Sequence, residues 1–182
     1  MTITQEKQQS VKEALSGSFE YANPMQTPRL VKVVVSIGVG KKRDPKQLEL
    51  TIDRVAKITG QKPSIRTARL SVASFKVRAG DTVGLQVTLR HARMYDFVEK
   101  LVHIALPRTR DFRGIPTTAV DEMGNLTIGL REHTIFPETA DEDLRDVFGF
   151  AVTVVTSAKN KAEAIAFLRH LGFPLVDRAE KR

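Results

Sequence analysis

Residues 83–90 alternate strictly with a period of two, with Val83, Leu85, Val87 and Leu89 on one side and Gly84, Gln86, Thr88 and Arg90 on the other. Successive side chains of a strand point to opposite faces, so such a run needs an apolar layer beneath it and a polar surface above. The chain is thereby committed to a sheet covered on one face. Three further stretches carry the same pattern. Val33, Val35 and Ile37 alternate with Lys32, Val34 and Ser36 inside residues 30–39; Leu126, Ile128 and Leu130 with Thr127, Gly129 and Arg131; and Phe150, Val152 and Val154 with Ala151, Thr153 and Val155. A short strand is expected over residues 64–67.

The cover for the apolar face is written in a longer period. Asp44 and Pro45 form an N-cap and first-turn pair, after which Leu48, Ile52, Val55 and Ile58 recur at helical spacing until Gly60. A second helix is expected over residues 93–105, with Met94, Phe97, Val98, Leu101 and Ile104 in one stripe and Pro107 forbidding continuation. The segment LPRTRDFRGIP then reads as loop. Asn160 and Glu163 are placed like a capping box ahead of Ile165 and Leu168, with Gly172 past the end. Residues 5–16 predict a short N-terminal helix with Val11 and Leu15 one turn apart, ended by Gly17. Adjacent strands joined by a loop pair antiparallel. The economical solution is an α+β fold of two layers, an antiparallel sheet with helices packed on one face and the other face open. One domain over residues 1–182 is expected, large enough to bury about 70% of its unfolded surface.

Charge says what the open surface meets. The chain carries a formal net charge of +8, and residues 61–93 hold seven bases, Lys62, Arg66, Arg69, Lys76, Arg78, Arg90 and Arg93, against the single acid Asp81. Like charges at this density repel unless a polyanion neutralises them, and each phosphate contact adds a salt-sensitive increment. Nucleic acid leads, ahead of a membrane surface. Within the stretch, residues 68–80 form a long basic loop, rich in Ser and Ala, with no periodicity to bury it as helix or strand. Ser36, Gln86, Thr88, Arg90, Thr127 and Arg131 on the polar side of their strands suit ribose hydroxyls, phosphates and base edges. A solvated sheet face satisfies the same alternation. Aromatic stacking platforms are few, with no Trp and two Tyr, and Tyr21, Tyr95 and most of the nine Phe read as structural.

Enzymatic readings find little to stand on. The absence of cysteine removes disulfides, thiolate metal sites and cysteine nucleophiles, and fits a reducing cytoplasmic address. No apolar run approaches the roughly 20 residues of a membrane span, and the N-terminus lacks the apolar centre of a signal peptide. His91, His103, His133 and His170 are scattered without metal-ligand spacing, and the acids of residues 138–146 lack the order of a calcium loop. The glycines of Val39-Gly40-Lys41-Lys42 suggest a phosphate cradle, but Val35 and Arg43 stand where the nucleotide fingerprints need glycine. A basic enzyme acting on a phosphorylated substrate remains as the alternative, with no catalytic residue, cofactor or metal assigned.

Four strings, NPMQTPRLVKVVVSIGVG, ITGQKPSIRTARLSVASFKVRAGDTVG, VTLRHARMYDFVEKLVHIALPRTRDFRGIP and GNLTIGLREHTIFPE, together resemble the universal L-five family of large-subunit ribosomal proteins in its bacterial form. The resemblance runs from about residue 20 to 175. It implies a non-catalytic protein of the central protuberance in the cytoplasmic ribosome, without a membrane or small-molecule partner. Implied partners are 5S rRNA, 23S rRNA, peptidyl-site tRNA, and a small-subunit head protein across an intersubunit bridge. Carried onto this chain, the 5S rRNA positions are Ser36, where Asn is usual, with Gln61, Thr88 and Arg90. The tRNA loop is residues 69–80, with Arg69, Ser71, Ser74, Lys76 and Arg78. Two departures stand out: LRHARM puts His91 and Ala92 where the family has Gly and Glu, and Phe148-Gly149 replaces an Arg-Gly.

Overall fold

Thr2 starts the first helix with a complete capping box. Its hydroxyl accepts from the Gln5 amide at 3.4 Å, and Gln5 Oε1 accepts from the Thr2 amide at 3.2 Å. The computed structural model describes residues 2–40, 45–139 and 147–177. Where one helix is expected over residues 5–16 there are two, α1 (Ile3–Gln9) and α2 (Val11–Leu15). Ser10 separates them, its hydroxyl donating to Lys7 O at 3.0 Å while its ψ of 0° takes the backbone out of helical geometry. Val11 and Leu15 are buried as their spacing predicts.

The remaining elements are β1 (Leu30–Gly38), α3 (Pro45–Thr59), β2 (Ser64–Thr67), β3 (Thr82–Leu89), α4 (His91–Lys100), α5 (Leu106–Arg108), β4 (Ile115–Pro116), β5 (Leu126–Leu130), β6 (Phe150–Thr156), α6 (Lys161–Leu171) and β7 (Leu175–Val176), the expected order with α5, β4 and β7 added. Five strands form one antiparallel sheet in the order β2-β3-β1-β6-β5, with helices packed against it, so the α+β class holds. A separate two-residue parallel pair joins β4 to β7. Both of its strands are too short for alternation to reveal, and β4 and α5 lie in the segment expected to be loop. Asp44 and residues 140–146 of the acidic run lie outside the described residues. Contacts divide the chain into two compact units, Met1–Val33, Leu89–Ile128 and Thr153–Arg182, and Val34–Thr88 and Gly129–Val152.

In the first unit α1 packs on α4 and α6, and α2 on α6. Met94, Phe97, Val98 and Leu101 are buried as their spacing requires, but Ile104 is 42% exposed. A π turn, Leu101–Ala105, follows α4. Bonds from i to i+5 add a residue to the turn, so the buried stripe passes to Ala105 and Leu106 and leaves Ile104 outside. Nor does Pro107 end the helix: it occupies the first turn of α5, where a missing N–H is tolerated. At the start of α6 the Asn160 side chain makes no cap bond, and the Glu163 carboxylate accepts instead from the Lys159 amide at 2.8 Å and the Tyr21 hydroxyl at 2.9 Å. Asn160 is thus the N-cap by position only. Ile165 is half-buried, while Ala164, Phe167, Leu168 and Leu171 carry the packing.

The second unit builds its core from Val35, Ile37, Leu85, Val87 and Val152 on the covered face of the sheet, with Val55 and Ile58 of α3. His133 belongs to this core. Its ring stacks on Phe148 at 4.3 Å between centroids and 4° between planes, and its Nδ1 accepts from the Phe148 amide at 3.4 Å. The departure at Phe148 is therefore absorbed as packing.

Candidate nucleic-acid interface

Every second residue of a strand faces away from the core, and in the second unit those residues are small or polar apart from Val34. Ser36 and Gly38 on β1 are exposed, and Gly84, Gln86 and Thr88 on β3 are half-buried. On β2 the register sets Ser64 against Gln86 and Arg66 against Gly84, with a shift between Arg66 and Thr67 that marks a bulge. Ser64 Oγ donates to Gln86 O at 2.9 Å, and Arg66 Nε donates to Gln86 Oε1 at 2.7 Å. Together Ser36, Gly38, Arg66, Gly84, Gln86 and Ala151 line an open groove of about 570 Å³. Gly84 is required by the sheet itself, since a Cβ there would stand 2.8 Å from Ile37 O.

Of the four positions matched to 5S rRNA contacts, Ser36 lines this groove. Gln61 and Thr88 meet each other through a long bond from Gln61 Nε2 to Thr88 O, 3.5 Å. Gln61 is placed by the end of α3, where Thr59 Oγ1 lies 2.7 Å from Val55 O and 3.0 Å from Gln61 O. Arg90 falls in the other unit, exposed, as the N-cap residue of α4. The residue after it, His91, has φ of +53°, a left-handed conformation that glycine adopts without strain. Thr127 and Thr153, also in the first unit, share a hydroxyl contact of 3.2 Å.

The basic loop is more ordered than its composition suggests. Ala68 N donates to Asp81 O at 2.8 Å and Gly80 N to Ala68 O at 2.9 Å, closing its base. Val72 and Val77 pair as an antiparallel bridge, spanned by a 3-10 turn, Ala73–Phe75, and by Lys76 in the left-handed region. Asp81, the one acid of the stretch, accepts from the Arg78 amide at 2.9 Å, and Ser71 Oγ from the Ala79 amide at 2.9 Å. The expectation of a segment without regular structure is corrected by this small ladder. Its only trace in the sequence is two valines flanking four turn residues, too short for a period. Arg69, Ser71, Ser74, Lys76 and Arg78 are all exposed. So are Leu70 and Phe75, at 77% and 78%, which sets Phe75 apart from the structural phenylalanines.

Enzymatic alternatives gain nothing from the geometry. Among the described residues no group of His, Asp and Glu is arranged to hold a metal, and no helix is long and apolar enough to cross a membrane. Lys41, Lys42 and Arg43 of the suggested phosphate cradle lie outside the described residues. Tyr21 is structural, its phenol pushed well above the usual range by burial and by the Glu163 carboxylate that accepts its hydrogen bond.

Residues 23–78 match the family described as Ribosomal protein L5, and residues 82–175 match the C-terminal part of the same ribosomal family. The chain is 49% identical over 155 residues to the large ribosomal subunit protein uL5 of Anaeromyxobacter sp. (strain K), covering 85% of this chain and 86% of the relative. It is 44% identical to the uL5 of Salinibacter ruber across 98% of this chain and 94% of the relative, and 43% identical to that of Halothermothrix orenii across 94% and 97%. An open polar sheet face, an ordered basic loop and these matches along nearly the whole length agree: the chain belongs to the uL5 family of ribosomal proteins, non-catalytic structural constituents of the large subunit.

Proposed function

We propose that this chain binds 5S rRNA through Ser36, Gln61, Thr88 and Arg90, and that its basic loop contacts peptidyl-site tRNA through Arg69, Ser71, Ser74, Lys76 and Arg78. The observation that supports the reading is the groove of the second unit, open on the sheet, where Ser36, Gln86 and Arg66 stand beside the glycines Gly38 and Gly84. Hydroxyl and amide groups there can read ribose and phosphate shape beside the Arg66 charge, and the sheet holds them in register. The loop offers a different surface, three exposed bases on a hairpin closed by its own hydrogen bonds. Links to 23S rRNA and to a small-subunit head protein complete the reading and rest on the family resemblance.

A titration of the full chain with 5S rRNA across salt concentrations tests the first half. Arg90→Ala is expected to weaken binding by about 1–3 kcal/mol if its contact is charge-assisted. Unchanged affinity would remove Arg90 from the interface. For the second half, the triple variant Arg69→Ala, Lys76→Ala, Arg78→Ala should keep 5S rRNA binding and weaken tRNA retention on assembled ribosomes. Equal damage to both functions would refute the division of labour.

A further inference from the structure

Arg66 is one of the seven bases of residues 61–93, and its guanidinium is held by a neutral group: Nε donates to Gln86 Oε1 at 2.7 Å across the β2-β3 pair. Gly84, its register partner, has no side chain to obstruct that reach. The bond uses one of five N–H groups. Both terminal nitrogens keep their donors, in the planar fork that matches phosphate oxygens. Among the described residues no carboxylate pairs with Arg66, so its charge is oriented but not neutralised. The side chain is exposed at the groove that Ser36, Gly38 and Ala151 also line.

We propose that Arg66, pre-oriented by Gln86, is an additional phosphate-binding residue of the RNA face, gripping a backbone phosphate of a strand that lies in this groove; the proposal rests on the 5S rRNA reading above. Fixing a long side chain before binding removes part of the ordering cost that binding would otherwise carry. Gly38 gives independent support for close approach of the strand. It ends β1 fully open, and a Cβ there would meet nothing within 4 Å, so the fold has no steric need of glycine. Glycine weakens a strand, and one that packing does not require marks a place where another backbone can come near.

The test is 5S rRNA binding by the full chain, measured against salt and beside an unrelated transcript of equal length. Arg66→Ala should raise Kd about tenfold and reduce the slope of log K against log salt by about 0.7–0.9, the loss of one phosphate contact, with an unchanged melting temperature. Gln86→Ala should weaken binding about threefold at the wild-type slope, because the charge remains while its orientation is lost. Gly38→Val should melt no lower than wild type yet bind at least tenfold more weakly. Wild-type affinity and slope in Arg66→Ala would overturn the proposal. Wild-type affinity in Gln86→Ala would overturn the pre-orientation, and in Gly38→Val the close approach. A wild-type chain that does not prefer 5S rRNA over the unrelated transcript would overturn the 5S rRNA reading itself, and Arg66's role with it.

Discussion

Replacing His91 by glycine should stabilise this protein. His91 opens α4 at φ of +53°, where an L-residue crowds its own carbonyl at a cost of about 1–2 kcal/mol. Glycine escapes that cost but gives the unfolded chain more freedom, worth about 0.4–1 kcal/mol. The balance leaves a net gain of about 0.5–1 kcal/mol. Little packing is lost in exchange, because the imidazole is exposed. For a chain of 182 residues this gain corresponds to a rise in melting temperature of about 1–4 °C. Calorimetry on wild type, His91→Gly and His91→Ala separates strain from side-chain effects. Alanine keeps the Cβ and hence the strain, so His91→Ala should melt close to wild type. Equal shifts in the two variants, or no rise in His91→Gly, would refute the strain argument. The family resemblance puts glycine at this position, and the backbone angle gives the physical reason.

Three further outcomes rest on contacts elsewhere. Tyr21→Phe removes the 2.9 Å donor to the buried Glu163 carboxylate and should cost about 1–3 kcal/mol in urea denaturation. Because the folded state favours the neutral phenol, the wild type should also lose stability as pH rises past the ordinary tyrosine value of 10.0, a loss absent in Tyr21→Phe. Gly149→Ala should destabilise by about 1–3 kcal/mol in the same assay, since its Cβ would stand 2.9 Å from Leu130 O and 3.1 Å from Arg131 O, both fixed backbone. The Asp121 carboxyl is held below its ordinary value of 3.8, first by the Asn125 amide at 2.6 Å and then by the Asn125 side chain. Its contribution is present above that value and lost as pH falls below it, so acid melting curves of wild type and Asp121→Asn should converge there.

The four alternating stretches were legible because a strand's period belongs to the local backbone, and Val33, Leu85, Leu126 and Val152 are buried as the alternation requires. Helix α3 was legible for the same reason, through Val55 and Ile58. Ile104 was misplaced because nothing local announces a π turn, which packing of the surrounding helix imposes. The loop's ladder is not legible in the sequence because Val72 and Val77 show no pattern until they pair. Ser36 could be chosen from its strand position and the resemblance, whereas the bond from Arg66 to Gln86 depends on a register that joins residues 20 apart.

Side-chain period and net charge were enough to specify the covered sheet, its four longer strands and the anionic character of the partner. Neither quantity needs any knowledge of what lies across the fold. Three other features exist only once the chain has folded: the room that Gly84 leaves for Arg66 to reach Gln86, the openness of Gly38 without steric need, and the strain at His91. Each depends on where one strand or helix end stands against another, and that placement is fixed by burial and hydrogen bonding of the whole chain rather than by neighbours in sequence.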